Sequence, residues 1–583
     1  MTEVYEDPKR GSGSRRRRVL PAILTSALLV SLLAIPALLV AGTARQAQAQ
    51  ATDLKVAIDQ VQAGARNGQL DTLSANLASV DTASQALAAT TETWQWSVLE
   101  HTPGLQTTAR AVPVLTATVQ SLVDAVQPIA DAADAAPSTL ALVEQLPQLQ
   151  PAVEELQQVS RHATQDLQGI ETTDLQFGLA DQIASAAEVT QGIDDATTSA
   201  LEAWPSLSGL LGFDQPRTYL VMLQNPAEAR GSGGLFSAFM RVTFDQGAPT
   251  IEEGATRKAI DDTRIPVPDD IDPGEKAMWG DYLTKWASFN TSPDFPTTAS
   301  LARAGMNARG TPVDGVIAID PYAVEALLAG TGPVEHKGVT IDASMAADFF
   351  TQDIYTDYPA FADVEAKDEL ALGLLFATVD SALKRPLDVK ALADRIPAAI
   401  DEGHIRAWAP DPDEQAWLDE IGVAHQMASA DPQTPFIVLN NATGGKIDAY
   451  VNTAVRQQND TCVYADGEFE GWTQSTISVS LTNYAPPDLP PYVDVRLDDE
   501  DAPKGSTKIL VTVFGPPGVI DEDVTSAGEW ADYTSGQAYG RPYWLSSLEL
   551  KRGESKDMTI TYADPSTENS PAAGTTPCKT PVD

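Results

Sequence analysis

A polar, glycine-rich loop holds the residues of this chain that are best suited to binding chemistry. It joins two apolar runs that have the composition of adjacent β-strands, one before Gln224 and one after Leu235. The loop carries an amide, a carboxylate, a guanidinium and two glycines: Asn225, Glu228, Arg230, Gly233 and Gly234. Arg230 could meet a phosphate or a carboxylate with its planar fork of donors, and the glycines would let a ligand approach the backbone. A wide hairpin whose polar groups satisfy their own backbone is the alternative, and both interpretations stay open.

Two aspartates outside the loop are further candidate ligand-binding residues. Asp320 ends the apolar run Gly315–Ile319 and precedes Pro321, which is typical of a helix N-cap followed by proline at the first helical position. Asp294 lies in the segment Ser292–Pro296, where it would order a turn. For both residues a structural role stands beside contact with a ligand.

Motifs of known reactions are missing from the sequence. The G-x-S-x-G, H-E-x-x-H, Walker and dinucleotide-binding motifs do not occur. The five histidines form no recognisable triad, and the acidic run Asp498–Asp501 lacks the spacing of a calcium loop. The sequence therefore predicts no catalytic residue, no cofactor and no metal site. It favours a protein without enzymatic activity and leaves that question open.

The charge balance limits the partners of the chain. It has 81 acidic and 38 basic residues and a formal net charge of −43. Binding to nucleic acid depends on clustered Lys and Arg that neutralise phosphates. We therefore exclude nucleic acid as a partner.

The amino terminus predicts the compartment. Residues 1–18 form a basic tail that ends in four arginines, and residues 19–43 are uncharged over a length that can span a bilayer. This pattern predicts a cytoplasmic amino terminus, a single transmembrane anchor in the cell membrane and an extracytoplasmic bulk. A cleavable signal peptide with a site near Ala47–Ala49 is the alternative. Because such a compartment permits disulfides, Cys462 and Cys578 are predicted to pair.

The remaining pattern predicts a multi-domain α+β protein. Residues 44–206 repeat apolar side chains at spacings of three and four, which indicates a helical stalk or bundle, with self-association through the stalk as an open alternative. Residues 207–441 alternate strand-like and helical segments and are interpreted as a central α/β domain. Short strands separated by Gly and Pro predict a β-sandwich-like domain over residues 442–563. Residues 564–583 are expected to form a flexible tail.

Several segments of the chain carry a family resemblance. They are Arg217–Asn225, Glu228–Arg230 with Gly233 and Gly234, Ser292–Pro296, Val313–Asp320, Gly330–Pro333, and Leu439–Asn441 with Gly445 and Lys446. In this order they resemble an uncharacterised family of membrane-anchored extracytoplasmic proteins of Gram-positive bacteria, especially actinobacteria, defined only as a domain of unknown function. The resemblance adds Lys446 to the candidate ligand-binding residues. It implies a link to surface polysaccharide assembly and no established activity.

A more distant similarity concerns the order of Val313–Asp320, a helix, and Gly330–Val334. This order is similar to the core of LytR–CpsA–Psr phosphotransferases, which attach lipid-linked glycopolymers to the cell wall. Their chemistry needs arginines around a pyrophosphate and an Asp-held divalent cation. The segment Asp353–Asp368, which should carry arginines, has none. We therefore expect a non-enzymatic envelope protein that binds cell-surface glycan or lipid-linked glycan, with the phosphotransferase as the alternative.

Overall fold

The computed structural model describes most of the chain and divides it into two compact units. The described residues are 39–61, 63–64, 73–136, 138–176, 178–385, 387–464, 469–526, 529–530, 532–565 and 578. The predicted basic tail and most of the predicted flexible tail therefore lie outside them. The first unit comprises Met1–Ala136 and Gln145–Glu202, and the second comprises Pro137–Glu144 and Ala203–Asp583. The predicted domain boundaries stay predictions.

The helices follow one another in two groups, one before and one after the first three strands. The helices are α1 (39–61), α2 (Leu73–Thr91), α3 (Trp94–Leu99), α4 (Gln106–Ala135), α5 (Thr139–Val143), α6 (Leu146–Gln168), α7 (Leu179–Leu210), α8 (Pro273–Trp279), α9 (Phe295–Arg309), α10 (Pro321–Thr331), α11 (Ala346–Asp348), α12 (Ile354–Asp357), α13 (Val364–Lys384), α14 (Val389–Asp401) and α15 (Pro412–Glu420). Single turns of 3₁₀ helix occur at Arg257–Ala259, Gly280–Thr284, Phe289–Thr291, Phe361–Asp363, Met427–Ser429 and Ile447–Tyr450, and a π-helical turn at Phe349–Asp353 joins α11 to α12.

The strands in the described part of the chain all belong to the second unit. They are β1 (Arg217–Asn225), β2 (Leu235–Asp245), β3 (Ala248–Thr256), β4 (Gly315–Ile319), β5 (Val334–His336), β6 (Val339–Ile341), β7 (Ile405–Trp408), β8 (Phe436–Asn441), β9 (Val451–Val463), β10 (Thr473–Asn483), β11 (Thr507–Phe514), β12 (Ile520–Ser526), β13 (Glu529–Trp530), β14 (Tyr533–Ala538), β15 (Arg541–Leu550) and β16 (Ser555–Asp564).

The first unit is a helical bundle. Apolar side chains three and four residues apart share one face of a helix, so Leu77, Val80 and Leu87 of α2 face inward together. They form a buried core with Val123 and Ala130 of α4. Helix α6 also packs against α4.

The predicted fold class is wrong at its amino-terminal element, the transmembrane helix. Of the predicted span, 19–43, only residues 39–43 are described, and they begin α1. The apolar face of α1, with Ala47, Leu54 and Ala57, is buried in the bundle core, and its other faces carry charged and amide side chains. Among the described residues, no helix has the length and apolarity needed to cross a membrane.

A five-stranded sheet forms the centre of the second unit, in the order β3-β2-β1-β4-β7. Strands β1 and β4 are parallel, with Tyr219 opposite Gly315, and the other pairs are antiparallel. The chain between β3 and β4 covers one face with an aromatic core that includes Trp286, Phe289 and Phe295. The other face is covered by apolar side chains of α13. Burial on both faces explains why β4 is apolar throughout.

The carboxyl-terminal strands form two sheets that enclose one core. Their orders are β13-β12-β16-β10-β9 and β14-β15-β11-β8. Strand β10 alternates strictly between buried and partly exposed residues, as a strand with one face toward a core must. Its inward residues, among them Val479, pack in one cluster with Val511 of β11 and Trp544 of β15.

Candidate functional site

A cavity of about 120 Å³ opens at the carboxyl edge of the central sheet. The parallel strands β1 and β4 end at this edge with Asn225 and Ile319, and crevices at the carboxyl ends of parallel strands are common ligand sites. Helices α12 and α13 and the segments around Lys446 and Tyr492 complete the wall. Six charged residues line it. Four are basic, Arg257, Lys258, Lys367 and Lys446, and two are acidic, Asp320 and Asp368.

The predicted binding loop between β1 and β2 is held from several sides. The Asn225 amide donates to the Phe350 carbonyl at 3.1 Å and to the Tyr355 hydroxyl at 2.9 Å, and its oxygen accepts from the Ala227 amide. Gly234 has φ +138°, and a Cβ there would lie 2.5 Å from the Asn225 backbone. The loop is therefore a closed turn whose glycines allow backbone segments to approach each other.

Glu228 is the centre of a buried ion cluster. Its Oε1 accepts from Arg230 at 2.7 Å, and its Oε2 accepts from the Lys446 ammonium. Burial alone would raise the pKa of Glu228, but the charges of Lys446 and Arg230 lower it overall, so Glu228 is ionised. For Lys446 burial lowers the pKa, and the charge of Glu228 offsets part of that effect. The cluster carries two positive charges for one negative charge.

The structure places the Arg230 guanidinium inside the protein. It donates to Glu228, to the Ala229 and Asn441 carbonyls at 2.8 and 3.2 Å, and to the Ala287 carbonyl. Its side chain is 9% exposed. These partners are all internal, so Arg230 fixes the loop against neighbouring segments. Lys446, by contrast, lines the cavity.

Lys367 of α13 adds a second ammonium group to the cavity wall. Its side chain is 11% exposed, and its charge adds to the lowering of the Lys446 pKa by burial. Lys367 pairs with Asp368 and lies over the rings of Tyr355 and Tyr492, at 5.7 and 5.5 Å from their centroids. The two rings are stacked, with 5.7 Å between centroids. Cations beside stacked aromatic rings form a wall suited to an acidic sugar.

Gln224 is the feature of the cavity that lacks an internal explanation. It lines the cavity and is 3% exposed, yet neither polar atom of its amide has a hydrogen-bond partner among the described residues. A buried amide without a partner costs free energy, so such groups are rare unless something else satisfies them. Both amide atoms are also shielded from solvent, so the unpaired amide lies within the cavity wall, close to Gly233.

The two predicted aspartates cap helices, and one of them also belongs to the cavity wall. Asp294 accepts from Thr297 and from the Met427 amide, at the N-terminus of α9 and away from the cavity. Asp320 caps α10 through its Oδ1, lines the cavity, and pairs through its Oδ2 with His404 Nδ1 at 2.7 Å. Of the predicted ligand-binding residues, Asn225, Asp320 and Lys446 therefore meet at the cavity.

Glu275 is a buried carboxyl group that lies outside the cavity. Glu275 of α8 is fully buried, and among the described residues no donor meets its carboxyl oxygens with good hydrogen-bond geometry. Burial raises the pKa of Glu275 to about 8; the nearby hydroxyls of Ser292 and Tyr539 lower it in part, and the charges of Asp294 and Asp272 add to the rise. Glu275 is therefore largely protonated at neutral pH.

Sequence reasoning missed most of the cavity wall. Lys367, Tyr355 and Tyr492 belong to segments without a recognisable motif, and Gln224 is the polar end of an apolar strand. The one usable signal was Gln224 itself, because a polar residue inside a buried strand indicates a satisfied network or a ligand. The predicted disulfide is confirmed: Cys462 of β9 is bonded to Cys578.

The fold and the cavity define a multi-domain mixed α/β protein with a small polar site at a sheet edge. Residues 214–355, which are 142 of the 583, match a family described as a protein of unknown function (DUF4012). The matched segment contains β1 to β4 and one wall of the cavity, whereas Lys367, Lys446 and Tyr492 lie outside it. No curated protein and no solved structure matches the chain.

Proposed function

We propose that this chain is a non-enzymatic, extracytoplasmic protein that binds cell-surface polysaccharide through an acidic group of the glycan. The observation that carries the proposal is the cavity wall, which contains Lys367, Lys446 and the stacked rings of Tyr355 and Tyr492. Four of its six charged residues are basic, in a chain with a net charge of −43. A basic cavity on an acidic protein selects anions, because the surface elsewhere repels them.

The extracytoplasmic location is supported by the disulfide between Cys462 and Cys578. Structural disulfides persist in oxidising compartments and are rare in the cytoplasm. A protein outside the cytoplasm meets surface glycans and has no supply of nucleoside triphosphates. The resemblance to actinobacterial and other Gram-positive envelope proteins points to the same setting.

The hydrogen bonds and ion pairs of the cavity carboxylates favour binding over phosphoryl transfer. Asp320 accepts from two backbone amides and pairs with His404, and Asp368 pairs with Lys367. These contacts engage the acidic groups that a transferase of the LytR–CpsA–Psr type would need for a divalent cation. Lys367 and Lys446 also have acidic partners, Asp368 and Glu228, but both line the cavity together with Arg257 and Lys258, so its wall keeps an excess of basic residues.

The test compares an acidic and a neutral oligosaccharide of equal length, one made of glucuronate and one of glucose. Calorimetry should show binding of the acidic one only. Lys367→Gln should weaken it about 10- to 100-fold, because a hydrogen bond to a charged group contributes roughly 1.5–3 kcal/mol. Lys384→Gln, at the exposed end of the same helix, is the matched control and should bind like the wild type.

Equal affinity for the two oligosaccharides, or an unchanged affinity in Lys367→Gln, would contradict the proposal. Turnover of a lipid-linked donor by the purified protein would support the phosphotransferase instead.

A further inference from the structure

A hydrogen-bonded pair of side chains links one part of the cavity wall to the protein surface. Asp320 lines the cavity with a side chain that is 3% exposed, and its Oδ2 lies 2.7 Å from His404 Nδ1. His404 is 20% exposed, and its Nε2 lies 3.3 Å from the exposed carboxylate of Glu402. A proton from solvent can therefore reach a group in direct contact with the cavity wall.

The charged and titratable groups around His404 come from α10, from β7, from the segment that follows α14 and from the segment that contains His425. Tyr322 of α10 stacks on its ring at 4.5 Å, and burial raises the pKa of that phenol. Arg406 of β7 is buried, which lowers its pKa to about 10 and leaves it charged. Burial also lowers the pKa of His425 to about 4, so that ring stays neutral. Glu402 follows α14.

The balance at His404 itself favours the charged ring. Burial alone would lower the pKa of His404, but the hydrogen bond to Asp320 and the charges of Asp320 and Glu402 raise it overall. The ordinary pKa of histidine is 6.5, so an upward shift keeps this ring charged to a higher pH than an exposed histidine. When the ring is protonated, the pair with Asp320 has no net charge; when it is neutral, Asp320 presents its full negative charge to the cavity wall.

We propose that His404 regulates the cavity by setting the charge at its Asp320 end, so that the acidic group of the glycan binds more tightly when His404 is protonated. This inference rests on the proposed function of the cavity. The coupling is reciprocal, because a ligand that binds better to the protonated protein must also raise the pKa of the histidine. The protein would then retain acidic glycan at acid pH and release it as the pH rises.

The experiment measures glucuronate affinity by calorimetry from pH 5.5 to pH 8.5, a range over which the ligand stays singly charged. Wild-type affinity should fall about tenfold as the pH rises, within the usual range of coupling between two sites. His404→Gln keeps a donor for Asp320 and should show a much smaller fall. His101→Gln, in the helical unit, is the control and should follow the wild type.

A second measurement follows the His404 ring by NMR with and without glucuronate, and its titration midpoint should move to higher pH when glucuronate is present. Tight binding with the same pH dependence in wild type and His404→Gln, or an unmoved midpoint, would overturn this inference and leave the proposed function intact. Absence of glucuronate binding at every pH would overturn both.

Discussion

At the scale of single residues, Gln224 distinguishes a structural cavity from a binding site. Its amide is buried without a partner among the described residues. Gln224→Met should therefore raise the free energy of unfolding by about 1 kcal/mol, since it removes an unpaired buried polar group. The same change should weaken glucuronate binding, because it replaces a polar residue of the cavity wall by an apolar one. Chemical denaturation and calorimetry on one sample check both expectations.

The matched control for this prediction is Thr512→Val. The Thr512 hydroxyl is also buried without a partner among the described residues, but Thr512 belongs to β11 and does not line the cavity. Thr512→Val should stabilise the protein and leave glucuronate affinity unchanged. A loss of stability in Gln224→Met with normal affinity would show that the Gln224 amide serves the fold.

Arg230, in contrast to Gln224, is buried with internal hydrogen-bond partners for its guanidinium. Its donors meet Glu228 and three backbone carbonyls, and the ion cluster is buried. Removing one member of a buried, paired cluster leaves the others uncompensated and is strongly destabilising. Loss of binding in an Arg230 variant would therefore report on folding, which is why Lys367 is the better test of the ligand contact.

At the scale of elements, the position of α13 is set by a glycine in the neighbouring strand. A Cβ at Gly254 of β3 would lie 2.0 Å from the ring of Phe376 on α13. Gly254→Ala should push α13 away from the sheet and cost about 1–3 kcal/mol of stability, as for other overpacked contacts. Because α13 carries Lys367, glucuronate affinity should fall as well. Thermal unfolding and calorimetry measure the two effects.

Gly192→Ala provides the control for this change. Gly192 lies within α7, and an added Cβ would meet no atom within 4 Å. Alanine is the better helix former, so this variant should be as stable as the wild type or up to about 1 kcal/mol more stable. If Gly254→Ala behaves in the same way, the close approach of α13 to β3 does not constrain the cavity.

At the scale of the whole molecule, the stability of the second unit should depend on the protonation of Glu275. The buried group is surrounded by Asp272, Asp294 and Tyr539, which link α8 and α9 to the turn between β14 and β15. Its pKa is about 8 in the folded protein against an ordinary 4.5. The folded state therefore holds the proton more tightly, and stability is greatest below the ordinary pKa and falls as the pH rises toward 8.

Glu275→Gln should remove this part of the pH dependence. Between about pH 5 and pH 8 the wild type should lose stability relative to the variant by on the order of 1.4 kcal/mol per pH unit. Denaturant unfolding at several pH values measures the difference. Glu420→Gln, at an exposed position that ends α15, should track the wild type. Parallel pH profiles for wild type and Glu275→Gln would refute the assignment.

The sequence by itself determined features that depend on neighbouring residues. The apolar run Gly315–Ile319 indicated a strand covered on both faces, and Asp320 before Pro321 indicated a helix cap, because strand burial and capping are local. The pairing of Cys462 with Cys578 followed from their number and the expected compartment. The membrane helix was predicted in the same way and is absent from the described residues, where α1 buries its apolar face in a bundle.

Only the tertiary structure decided which residues meet at the cavity and which turn inward. Gln224, Lys367 and Lys446 are far apart in the chain and become neighbours through the pairing of β1 with β4 and the packing of α13 on the sheet. Arg230 and Lys446 have the same charge, but Arg230 donates to internal carbonyls, whereas Lys446 borders the cavity. Residue type defines what a side chain can bind, whereas its partners are set by contacts distant in sequence that local patterns do not encode.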